Sequence, residues 1–109
     1  MHKHIADLWI ADLEKNPPQT RQKLYDGHGY CCLGRLCLLA GMKPEVFYDQ
    51  RDYGFAGESA VLPRAVMEWA GMKSRSGEYD DDHCLSADND NGATFPEIAQ
   101  IIRVNCEAL

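Results

Sequence analysis

The sequence predicts an α+β fold: four short helices with two or three short antiparallel strand pairings, in a single compact domain spanning 1–109. Three observations predict it. Apolar residues recur at helical spacing in four separate stretches. Between them, short aromatic-rich segments flank glycine-containing polar turns, as hairpins do. No Gly/Ser-rich or low-complexity tract divides the chain. A chain of this size buries roughly two-thirds of the surface its unfolded form exposes, enough for one core without a metal or disulfides.

The first helix is expected over about 3–15. Ile5, Leu8, Trp9 and Leu13 stand at i, i+3, i+4 and i+8 and give one apolar face. Asn16-Pro17-Pro18 stops it, because a proline excludes the helical conformation from the residue before it. LYDGHGYC then offers two short strands around Asp26-Gly27-His28-Gly29. A second helix begins near Cys32, with Leu33, Leu36, Cys37 and Ala40 on one face. It ends at Ala40-Gly41-Met42-Lys43, and a third helix, 63–70, ends at Ala70-Gly71-Met72-Lys73. The recurrence needs no duplication: glycine takes the left-handed residue after a helix, and the apolar neighbour packs back on the last turn.

Between those helices, Phe47, Tyr48, Tyr53 and Phe55 flank a polar turn and predict a second hairpin. Pro63 suits the first residue of the third helix, with Val66 and Trp69 or Ala70 facing inward. Residues 77–90 read as an acidic loop. The last helix starts at a capping box, Thr94 with Glu97, and tolerates Pro96 in its first turn. Ile98, Ile101 and Ile102 supply its buried stripe.

Composition narrows the function. Seventeen acidic and eleven basic residues leave a formal net charge of −6, opposite to what non-specific nucleic-acid binding needs. No apolar run approaches the roughly 20 residues required to span a bilayer. The N-terminal stretch carries Asp7 and Asp12 inside its apolar pattern and is not a signal peptide. Five cysteines without framework spacing point to free thiols in a reducing cytoplasm. Residues 77–90 hold six carboxylates and no Lys or Arg, which reads first as a solvated loop and second as a cation site or an acidic face for a basic partner.

The motif GYCCLGRLC, 29–37, poses the main chemical question. Structural zinc uses paired ligands about a short turn, whereas Cys31 and Cys32 are adjacent and Cys37 follows five later. On a helix, Cys32 and Cys37 point roughly 140° apart. A C-x-x-C redox pair is missing, and a disulfide between adjacent residues is strained. A nucleophile is the stronger functional reading: Cys32 at a helix start would feel the positive dipole end, with His28 nearby as a base. Against it stands the habit of cysteine to fill cores as a small hydrophobe. Packing is the expected role. Asp88–Gly92 imitates a calcium loop, but counting from Asp88 puts Gly92 at position 5 and Ala99 at position 12, so the register fails. His2-Lys3-His4 reads as a helix start rather than a metal clip.

Trp9, the run Tyr30-Cys31-Cys32-Leu33-Gly34-Arg35-Leu36-Cys37, Leu62-Pro63-Arg64-Ala65-Val66-Met67-Glu68-Trp69, and Thr94-Phe95-Pro96-Glu97-Ile98-Ala99 form a set of motifs that extends along most of the chain. In these motifs the chain resembles a group of short, functionally uncharacterised bacteriophage and prophage proteins. The resemblance implies a phage-encoded accessory protein acting in the host cytoplasm, and it assigns no residue a role.

The expectation is therefore a non-enzymatic interaction protein that binds a host or defence component. Two alternatives stand beside it: a small-molecule binder, of a nucleotide signal for example, built from aromatic and Arg residues in 25–35 and 47–55, and a cysteine enzyme built on Cys32. Tyr48, Arg51 and Tyr53 in the 46–55 hairpin are the predicted recognition residues, because interface energy concentrates in tyrosine, tryptophan and arginine. No catalytic residue, metal ligand or cofactor is assigned.

Overall fold

The computed structural model describes residues 1–47 and 52–109. Its elements run α1 (Lys3–Glu14), α2 (Cys32–Leu39), β1 (Glu45–Phe47), β2 (Asp52–Gly54), α3 (Arg64–Ala70), α4 (Leu85–Asp90) and α5 (Phe95–Asn105). The architecture is α+β, with five helices and one two-stranded antiparallel sheet among the described residues.

α1 is the central helix, packed along α5 and against α2. Because it serves two neighbours, its buried face is broad: Ile5, Ala6, Trp9, Ile10 and Leu13 are inside. Leu8, expected on that face, lies at its edge and is 53% exposed. The Trp9 indole N–H donates to the Cys32 carbonyl at 2.9 Å, so this large side chain is buried with its one donor satisfied.

α2 contains Gly34 in its interior, where glycine ordinarily costs about 0.5–1 kcal/mol against alanine. Close approach is the reason. A Cβ at this position would stand 2.0 Å from the Leu24 carbonyl oxygen, and that same carbonyl accepts the Cys31 N–H at 3.2 Å. The two AGMK stops share one chemistry. Gly41 and Gly71 adopt φ of 86° and 69°, and the Met42 and Met72 N–H groups reach back to the carbonyls of Cys37 and Met67.

Three expectations are corrected. The predicted hairpin at 24–31 is reduced to one isolated bridge, Tyr25 with Tyr30. Its ladder goes no further because the Tyr30 N–H donates to Pro18 and its carbonyl accepts from Thr20, so a third segment takes the bonds. Pro63 is the N-cap of α3 rather than its first residue, and Trp69 is 38% exposed while Val66 and Ala70 face inward. The acidic stretch 77–90 is only half a loop: Leu85–Asp90 form α4, a helix the apolar pattern did not announce. Its inward residues, Leu85 and Asn89, are four apart, but one of them is polar.

The capping box of α5 forms as predicted: Glu97 N–H donates to Thr94 Oγ1, and Thr94 N–H to Glu97 Oε1 at 2.9 Å. Ile98, Ala99 and Ile102 are buried, with Ile101 half-buried beside them. The strands of the predicted 46–55 hairpin pair as expected, with Val46 opposite Tyr53 and Phe47 opposite Asp52; its turn, 48–51, lies outside the described residues. Among the described residues, no helix is long and apolar enough to cross a membrane.

Candidate interaction surface

Cys31, Cys32 and Cys37 are core residues, exposed by 5%, 0% and 0%. Cys31 caps α2 through its sulfur, which accepts the Gly34 N–H at 3.4 Å. A helix-start position by itself would lower the Cys32 thiol pKa. Burial outweighs the dipole and pushes it well above its ordinary value, with Cys31 beside it adding repulsion between thiolates. Burial likewise pushes Cys31 up to about 11 and Cys37 up to about 12. All three thiols therefore stay protonated at neutral pH, the inert state of a buried cysteine.

Beneath α2 lies a polar junction that sequence reading missed. Asn89 is fully buried. Its Oδ1 accepts from Gln19 Nε2 at 2.8 Å and from the Cys32 N–H at 3.2 Å. Its Nδ2 donates to the Thr20 carbonyl at 2.9 Å. One amide thus joins α4, the start of α2 and the 19–22 segment, with its polar atoms paired. Around it, Arg21 Nη1 donates to the Asn89 carbonyl at 2.9 Å, and the Gln22 N–H donates to Asp90. The only trace of this in sequence is the i, i+4 spacing of Leu85 and Asn89.

A second assembly is open rather than closed. Asp26 Oδ1 accepts the N–H groups of His28 and Gly29, and its Oδ2 accepts the Thr20 hydroxyl. These bonds, Gly29's first, hold its carboxyl down at about 2 and fix the turn between Tyr25 and Tyr30. The two rings stack at 4.5 Å. Tyr53 meets Tyr25 edge-on at 5.4 Å and lies over Gly27, where any side chain would press on its ring. Arg35 sits 5.6 Å from the centre of the Tyr30 ring, held there by a bidentate pair with Asp12 at 2.7 and 2.8 Å. On the sheet, Val46 lies directly across from Tyr53 on the same face and is 53% exposed.

Val46, Tyr53, Tyr25, Tyr30 and Arg35 therefore make one continuous strip that draws on both stretches singled out in the sequence, 25–35 and the 46–55 hairpin. Each tyrosine is half-buried. Lys23 pairs with Asp52 at 3.3 Å and pins the hairpin to the 19–30 segment. Of the three predicted recognition residues, Tyr53 is in this strip. Tyr48 and Arg51 lie outside the described residues.

The acidic stretch is divided. Asp80 binds both the Asp82 N–H and His83 Nδ1, and His83 stacks on Tyr79. The Asp80 carboxylate raises the His83 pKa. The Tyr79 hydroxyl donates to Asp88 and Asp90 accepts from Gln22, so two of the six carboxylates serve the fold. Among the described residues no group of three or more His, Cys, Asp or Glu side chains is placed to hold a metal ion.

No curated protein and no solved structure matches this chain. A family model does, that of a domain of unknown function, DUF8296, and the match runs over residues 1–106. A match over nearly the whole chain carries the central helix, the Asn89 junction and the aromatic strip together, and the chain belongs to the DUF8296 family.

Proposed function

We propose that this chain is a non-enzymatic, phage-encoded accessory protein that binds a host or defence protein in the host cytoplasm through the Val46–Tyr53–Tyr25–Tyr30–Arg35 strip. The observation carrying this reading is the exposure of Val46 opposite Tyr53, at the open end of a row of half-buried tyrosines closed by an anchored arginine. Tyrosine and arginine held rigid before binding lose little conformational entropy on contact, which is how a few residues come to dominate an interface. Tyr48 and Arg51 stand between the two strands in sequence, and they belong to the same proposal on residue type alone. Phage origin rests on the sequence motifs.

Val46→Asp tests it. The side chain is largely in water, so the folded state should unfold at the same urea midpoint as wild type. Capture of a host protein on immobilised chain should fall by about tenfold or more, because a carboxylate would have to be desolvated where an isopropyl group had been covered. Retention of the same partner at wild-type strength would place the interface elsewhere.

A small aromatic ligand is the second reading, supported by the convergence of 25–35 with the 46–55 hairpin on one strip. Tyr25 and Tyr30 already stack on each other, so such a ligand would lie on the outer face of the rings. A nucleotide absorbing near the aromatic bands, co-purified with wild type and absent from Tyr53→Ala, would select this reading over a protein partner. The cysteine-enzyme reading would need a thiol that alkylates fast at neutral pH, and the three buried thiols are predicted to react only on unfolding.

A further inference from the structure

Among the described residues, α2, α3 and α4 each run out at a glycine in the left-handed region, and two of them close the same way. Gly41 N–H donates to Leu38 and Met42 N–H to Cys37; Gly71 N–H donates to Glu68 and Met72 N–H to Met67. At the end of α4 the outer bond is made, from Ala93 N–H to Asp88 at 3.0 Å. The inner one is not. The carbonyl that Gly92 N–H would reach is that of Asn89, and it accepts the Arg21 guanidinium instead. Gly92 N–H has no acceptor among the described residues.

The residue before this unbonded amide is Asn91. It is exposed, as is Gly92, which adopts φ 113° with no atom within 4 Å of where a Cβ would stand. The Asn91 side chain makes no hydrogen bond among the described residues, so neither its amide nor the following nitrogen is held.

We infer that Asn91 is a site of spontaneous modification, converting to aspartyl and isoaspartyl through a cyclic imide. Solvent base removes the Gly92 N–H proton, and that nitrogen attacks Asn91 Cγ. The N–Cγ bond forms, the Cγ–Nδ2 bond breaks and ammonia leaves. Water then opens the ring at either carbonyl, giving aspartate or its isomer with the main chain routed through the side chain. Water is the only co-reactant, and no oxidation state changes.

The other three asparagines are protected by identifiable means. Asn16 precedes Pro17, which has no N–H to lose. Asn89 is buried with both ends of its amide bonded. Asn105 donates its Nδ2 to the Ile101 carbonyl at 2.9 Å. At Asn91 the fold offers one restraint. With ψ at 7°, the chain must rotate about this bond to bring the nitrogen behind Cγ, opening the turn that the Ala93–Asp88 bond holds. Conversion in the folded chain is therefore slower than in the unfolded chain, yet open to it.

The position gives the change a consequence. The isomer lengthens the main chain just ahead of Ala93, whose carbonyl accepts from Gln19 Nε2 at 2.9 Å. The same Gln19 amide supports Asn89. Ageing at Asn91 thus slackens the buried junction from its rim.

The test is incubation of the intact chain in mildly alkaline buffer, followed by peptide mass spectrometry with chromatographic separation of the aspartyl and isoaspartyl forms. Amide loss is expected at Asn91, faster as the buffer is made more alkaline, and about tenfold or more ahead of Asn89 and Asn105, a barrier difference of about 1.4 kcal/mol or greater. Asn91→Gln should fold as wild type and stop the conversion, since a six-membered closure is slow. The inference is overturned if the folded chain shows no measurable amide loss at Asn91 over a period many times longer than a urea-unfolded sample needs to convert fully. Equal loss at Asn89 and Asn105 overturns it as well.

Discussion

The Asn89 junction and the aromatic strip are both built from distant pieces of chain, and they use their chemistry in opposite ways. At the junction both polar atoms of a buried amide are matched by bonds across sequence separations of 57 to 70 residues. Such a network orders the fold and offers nothing to a partner. In the strip, three tyrosines and an arginine are held by ring contacts and an ion pair, yet each tyrosine stays half-buried and Val46 is 53% exposed. Positioning without closure is the feature on which the proposed recognition role of the strip rests.

The sharpest way to break this contrast is with two glycines. A Cβ at Gly34 or at Gly54 would stand 2.0 Å from a carbonyl oxygen, of Leu24 and Glu58 respectively. Gly34, inside α2, lies against the backbone of the buried Leu24, where neither side can retreat. Gly34→Ala is expected to cost more than about 4 kcal/mol and to leave no cooperative unfolding transition. The neighbour of Gly54 lies in the 55–58 turn, so Gly54→Ala should release the hairpin while the helical body still melts as one unit, at a cost of about 1–3 kcal/mol. Equal effects of the two variants in urea unfolding followed by tryptophan fluorescence would remove the distinction.

Next in size is Asn89→Ala. It leaves the Cys32 N–H, the Gln19 amide and the Thr20 carbonyl without their partner, and the expected loss is about 3 kcal/mol by urea midpoint. Val46→Ala, on the open region, should stay within about 0.5 kcal/mol of wild type. A small effect at Asn89 would mean that water replaces the amide and that the junction is not closed.

The third prediction is a pH dependence beneath the strip. Asp26 titrates at about 2 in the folded chain against an ordinary 3.8, so its folded pKa is depressed. Its contribution to stability is complete above the ordinary value and is lost as pH falls from there through about 2. Asp26→Asn should flatten that part of the stability curve and loosen the Tyr25–Tyr30 stack, read as near-ultraviolet dichroism. An unchanged acid limb would show that the turn stands without the carboxylate.

The smallest effect is a gain. Ala56 holds φ of 50° in the two-residue turn between Phe55 and Glu58, followed by Gly57 at 84°. A left-handed alanine is strained, so Ala56→Gly or Ala56→Asn should raise stability by about 0.5–1 kcal/mol in thermal unfolding. A loss would mean that the methyl group packs, which its exposure argues against.

Much of the helical frame was legible from residues alone. The 3–15 helix is found at Lys3–Glu14, the Thr94–Glu97 box starts α5, and both AGMK stops fall where expected. The strand pairing within 46–55 was legible from its aromatics, and Tyr53, singled out by residue type, lies in the candidate strip. What escaped is equally specific. α4 has a polar residue on its inward face, so its periodicity looked like a loop. The 24–31 hairpin failed because Tyr30 gives its backbone bonds to 18–20, a competitor that no local pattern reveals. The sequence leaves the Cys32 thiol between two readings, because dipole position is visible in it and depth of burial is not.

By itself, then, the sequence determined where most of the helices begin and end, because caps, prolines and left-handed glycines act within about five residues and need no tertiary partner. It also determined the sign of the chain's charge and the absence of a metal-ligand spacing around its cysteines. Only the tertiary structure decided that the buried face of α1 widens to Ala6 and Ile10 and leaves Leu8 at its edge, that Asn89 joins three segments, that three thiols are held protonated, and that tyrosines from two stretches form one row. Those outcomes depend on contacts between residues far apart in the chain, whose energies exist only once the core has closed around them.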